Sequence, residues 1–144
     1  MYSCGMTYAN TIALSRPFVE AVGMVREALG AQGFGILTEI DVTATFTAKL
    51  GAEAAESVGD YLILGACNPP LAHRAITADP DMGVLLPCNV VVRRGRGASE
   101  TIVQAIDPAT MVQLSGRPGM QEIADEVDGK LRAALASLAA AEGR

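Results

Sequence analysis

The chain has 144 residues, half of them hydrophobic and 19% charged, a globular rather than disordered composition. That length suits one domain over residues 1–144, able to bury roughly two-thirds of its unfolded surface without disulfide or metal staples. A net charge of −5 excludes a general nucleic-acid binder, three cysteines exclude a secreted disulfide scaffold, and no apolar run approaches the length of a membrane span.

The first residues carry neither a basic segment nor an apolar signal core, so a reducing cytoplasm is the expected compartment and residues 1–6 the expected flexible N-terminus. Thr7–Leu14, rich in Thr, Tyr and Ile, predicts a strand. Ser15 is placed to cap a helix, with Pro17 in its first turn. Phe18, Val22, Val25 and Leu29 then mark one helical face, ended by Gly30 and Gly33. From Phe34 the period changes to two. Phe34, Ile36, Thr38, Ile40 and Val42 predict the core face of a second strand. Thr43–Leu50 predicts a short helix with Phe46 and Leu50 inward, and residues 51–59 a surface connection or frayed helical turn.

Tyr61–Ala66 is apolar on both faces, as in a strand covered on both sides or buried at an interface. Asn68 then caps a helix with Pro69 at its first position and Leu71, Ala75 and Ile76 as its apolar stripe, until Asp79-Pro80-Asp81 stops it. After a short apolar stretch at Val84–Leu86, Cys88–Arg93 and Glu100–Ile106 predict an antiparallel hairpin around the basic turn Arg93–Gly97. Ala109–Leu114 suits a helical turn. Met120, Ile123, Val127, Leu131, Leu135 and Leu138 mark a final helix to about Ala140. The order β-α-β-α-β-α-β-β-α predicts an α/β, two-layer sandwich with a mixed sheet of about five strands.

Familiar chemical fingerprints are missing. Gly30–Gly35 is glycine-rich but leads from helix to strand, the reverse of a dinucleotide loop. No phosphate loop, HExxH pair or GxSxG elbow occurs, no cofactor is implied, and binding is favoured over catalysis. The suggestive spot is the strand-to-helix junction Cys67-Asn68-Pro69-Pro70. A thiol before a helix start is favoured as thiolate by free N–H groups and the helix dipole, whereas burial after an apolar strand opposes this. Free N–H groups there also suit a small anionic ligand. Cys88, with Asn89 beside it, is a second candidate on a neighbouring strand. Cys67, His73 and Cys88 supply three metal ligands only if the fold brings them together; with one histidine and no CxxC, a closed structural zinc site cannot be built from this chain.

The runs Ile63–Ala72, Gly83–Val92 and Ala105–Pro108 together resemble the domain of unknown function 302 family, with the upstream helix and strand fitting its layout. The resemblance implies a small α/β sandwich that associates as a dimer and implies no established activity. It also implies that the Asn-Pro pair is more general in the family than Cys67 and Cys88. The expectation is therefore a homodimer that binds a small ligand at Cys67, Asn68, His73, Cys88 and Asn89. A thiol redox, sulfur-handling or metal-linked role for Cys67 and Cys88 is the alternative, and neither nucleic acid nor membrane is an expected partner.

Overall fold

Helix α1 (Phe18–Ala31) follows from the apolar spacing and ends at glycine for a stereochemical reason. Gly33 adopts φ +84°, its N–H donates to the Gly30 carbonyl, and the Phe34 N–H donates to that of Leu29. This is a Schellman cap, closed by apolar contact between its flanking residues, and Leu29 and Phe34 are both buried. The start of α1 differs from expectation. Pro17 occupies the cap position, and the Ser15 backbone N–H donates to the Glu142 carboxylate.

The computed structural model describes residues 7–142; Cys4 and the expected flexible segment 1–6 lie outside them. Strands β1 (Ala9–Leu14), β2 (Gly35–Asp41), β3 (Asp60–Cys67), β4 (Cys88–Arg94) and β5 (Thr101–Ile106) form one sheet in the order β1-β5-β4-β3-β2. Every pairing is antiparallel, so the expected mixed sheet is corrected. The reason lies in the connections. Helix α1 carries the chain between the two edge strands, which therefore never pair. The other helical connections return it to the sheet end it left: α2 (Val42–Leu50) with α3 (Ala52–Val58), and α4 (Pro69–Ala78) with a 3-10 turn (Pro80–Leu85). That turn replaces the extended stretch expected at Val84–Leu86. Residues 51–59 are mostly helical, Ala109–Leu114 lies in helix α5 (Ala109–Ser115), and helix α6 (Met120–Glu142) closes the chain.

The core lies on one side of the sheet. Leu62, Leu64, Ala66, Val90, Val92, Val103 and Ala105 meet Val25 and Leu29 of α1 and Ile123, Val127, Leu131 and Leu138 of α6. Burying such a side chain contributes about 1.5–3 kcal/mol before ordering costs are subtracted. Among the described residues the other face, with Ile63, Val91 and Ile102 half-buried, carries no comparable core.

Strand β2 departs furthest from its sequence pattern. Ile36 pairs with Ala66 but Thr38 pairs with Gly65, a bulge that leaves Leu37 unpaired. The extra residue reverses the alternation. Thr38 and Ile40 turn to the open face, Glu39 turns to the helix face, and Arg26 of α1 forms an ion pair with it. Ile40 is accordingly half-exposed, and Leu50 of α2 is exposed rather than inward.

Candidate functional site

The junction after β3 is built by one side chain and two prolines. Asn68 is extended, and its Oδ1 accepts the Leu71 backbone N–H at 3.4 Å. Pro69 and Pro70 occupy the first two helical positions and have no N–H to offer. A helix start normally leaves up to four such donors free. Here two are absent and a third is occupied. Three of the donors expected to hold a small anion at this corner are therefore unavailable.

Asn68 also meets the end of α1. A Cβ placed on Gly33 would lie 3.1 Å from Asn68 Nδ2, so the left-handed glycine that caps α1 also makes room for the residue that caps α4.

Beside this corner lies a cavity of about 260 Å³. The strand ends supply Ala66, Cys67 and Cys88; α4 supplies Leu71, Ala72, Ala75 and Ile76; the loop before β4 supplies Leu86 and Pro87. Phe34, Leu37 of the bulge, Met111 of α5 and Ile123 and Val127 of α6 complete it. Its walls are almost wholly apolar, and among the described residues no acidic, basic or histidine side chain lines it. Leu37 and Ile76 leave the rim hydrophobic, being 65% and 45% exposed.

The structure brings together three of the five expected site residues, Cys67, Asn68 and Cys88. His73 does not join them: it sits on the exposed side of α4 in a separate hollow with Arg74 and Glu122. Asn89 pairs with Gly65 on the open face and is exposed, because alternation turns it away from its neighbour Cys88. Among the described residues, no three His, Cys, Asp or Glu side chains are grouped to hold a metal. The basic turn lies at the far end of the β3–β4 pair. Arg93 bonds Gln104, Arg94 bonds Thr101 and the Arg16 carbonyl, and Arg96 pairs with Glu56. Arg74 pairs with Glu126, away from the cavity.

The two cysteines are free thiols in adjacent but not facing positions, since Cys88 pairs with Ala66. Cys67 is half-exposed, whereas Cys88 is 6% exposed, and burial, with a smaller contribution from the nearby Cys67, pushes the Cys88 thiol up to about 11. A buried thiol in apolar surroundings is inert at neutral pH.

Sequence periodicity alone does not identify Phe34, Leu37, Leu86, Met111, Ile123 and Val127 as pocket residues. Phe34, Ile123 and Val127 read only as core, Leu86 as part of a short apolar stretch, Met111 as part of a helical turn, and Leu37 as the outer face of a strand.

A family model described as domain of unknown function DUF302 matches residues 10–138. The crystal structure of an uncharacterized conserved protein DUF302 from Bacillus stearothermophilus superposes with a TM-score of 0.79. It is 28% identical in sequence, over 90% of this chain and 97% of that one. None of the curated proteins matches.

Proposed function

The chain belongs to the family described as domain of unknown function DUF302, and on that premise we propose that it is a homodimeric small-ligand-binding protein whose ligand occupies the cavity at the Cys67-Asn68-Pro69 corner. The observation that carries this reading is the cavity itself, about 260 Å³ and walled by apolar side chains. Ligand sites in proteins are concave, mostly apolar and about 300–1,000 Å³, so this one suits a ligand smaller than a drug. Support for the dimer comes from the open sheet face, where Ile63, Val91 and Ile102 remain half-buried.

Thermal unfolding with small apolar compounds tests the ligand reading. A ligand bound only by the folded protein raises the melting temperature with its concentration, by about 2.7 kcal/mol of stabilisation at a hundredfold excess over Kd. Toluene and medium-chain ketones are expected to do so, and Ala72→Phe, which fills the cavity from α4, is expected to abolish the shift. No shift with any such compound overturns the reading.

A thiol-based role for Cys67 and Cys88 stands second. One observation favours it: both residues line the same cavity. Against it stand the buried, protonated Cys88 and a register that faces Cys88 with Ala66. A Cys67–Cys88 disulfide formed readily under mild oxidation would reverse this order.

A further inference from the structure

Resting on the ligand reading above, we infer that the cavity selects an uncharged molecule with an apolar body and one carbonyl-type hydrogen-bond acceptor, held by Asn68 Nδ2. Among the described residues the cavity's titratable lining is limited to the thiols of Cys67 and Cys88, with no cation to meet a carboxylate or phosphate. The start of α4 lacks three of its usual donors, because Pro69 and Pro70 have no N–H and the Leu71 N–H is held by Asn68 Oδ1. A charged headgroup entering here gives up its hydration for nothing in return.

One donor remains. The Leu71 N–H occupies Asn68 Oδ1, which leaves Nδ2, beside Gly33 at the end of α1, as the donor of that amide. Among the described residues no acceptor takes up Nδ2, although Asn68 lines the cavity. A ketone, ester or lactone oxygen satisfies that donor while its alkyl part lies against Leu71, Ile76 and Leu86. An alkane leaves it unpaired, and an acid brings a charge that nothing balances.

The test compares octan-2-one, octanoate at pH 8 and toluene by titration calorimetry and thermal shift, on the wild-type chain, Ala72→Phe and Asn68→Asp. Asp caps helices as well as Asn, so Asn68→Asp keeps the cap while removing the Nδ2 donor. Octan-2-one is expected to bind the wild type at least roughly tenfold more tightly than octanoate, given the cost of burying an unpaired charge. Asn68→Asp is expected to weaken octan-2-one about two- to tenfold more than it weakens toluene, the loss of one neutral hydrogen bond. Octanoate binding as tightly as the ketone, or a ketone affinity indifferent to Asn68→Asp, overturns the inference while leaving the pocket reading intact. Failure of both toluene and octan-2-one to bind overturns the pocket reading itself.

Discussion

Cys88 shows how place in the fold sets the chemistry of a residue. An ordinary thiol releases its proton near 9.0, while burial holds that of Cys88 to about 11. Burial penalises the thiolate, so the unfolded chain loses this proton first as pH rises. The stability tied to Cys88 is complete below pH 9 and declines between about pH 9 and 11, by roughly 2–3 kcal/mol at ~1.4 kcal/mol per pH unit. Alkaline denaturation should therefore be shallower in Cys88→Ala than in the wild type. Alkylation followed by mass spectrometry should modify Cys88 only above about pH 10 in the folded protein; rapid modification at pH 8 contradicts this account. Gly33 makes a parallel case in backbone terms. Gly33→Ala must hold an L-residue at φ +84° and crowd Asn68, so denaturant titration should show a loss of about 1–2 kcal/mol. The capping role of Asn68 was legible in the sequence, because Asn before Pro-Pro and an apolar stripe has one common structural use. That the same two prolines take donors away from the corner also follows from their chemistry. The burial of Cys88 does not, since nothing local distinguishes a covered thiol from an exposed one.

At the scale of elements, the bulge in β2 and the Asp79 corner decide what the cavity looks like. A two-residue period through Phe34–Val42 predicts one inward face, and it holds only to Ile36. One unpaired residue, Leu37, then sends Thr38 and Ile40 to the open face and itself joins the cavity. Asp79 is the joint between α4, the 3-10 turn and α5. Its Oδ1 accepts the Asp81 N–H and its Oδ2 accepts the Ser115 hydroxyl. The Ser115 hydroxyl, chiefly, then the Asp81 N–H and the Arg117 charge, hold the Asp79 carboxyl below its usual value, against the opposing pull of burial. A depressed carboxyl stabilises the fold above its unfolded pKa, and that contribution disappears as pH falls through the folded value. Ser115→Ala is therefore expected to raise the Asp79 pKa, followed by NMR titration of its carboxyl carbon, and to flatten the loss of stability toward acid. An unchanged Asp79 titration in that variant contradicts the assignment.

The whole molecule is a sheet with a helix layer on one face and a half-buried apolar surface on the other. Antiparallel sheets tolerate one solvated face, so the fold does not by itself require a partner. If the proposed homodimer uses this face, sedimentation should show a particle of twice the 14.9 kDa chain mass. Val91→Lys should then reduce it to the single chain without removing ligand binding in the cavity, which lies across the sheet. A wild type that sediments as one chain at every concentration removes the dimer from the proposal.

The sequence by itself determined helices α1, α2, α4 and α6, the five strands, their order along the chain and the corner at Cys67-Asn68-Pro69, because these follow from local periods, caps and prolines. Only the tertiary structure decided how the strands pair, which face of β3 is covered and which residues wall the cavity. Those outcomes depend on contacts between residues far apart in the chain. Cys88 and Asn89 show the divide, since they adjoin in sequence yet alternation on β4 gives one to the cavity and the other to the open face. Likewise the cavity exists because Phe34, Met111 and Val127, each unremarkable in its own segment, converge on the end of β3 when the helix layer closes over the sheet.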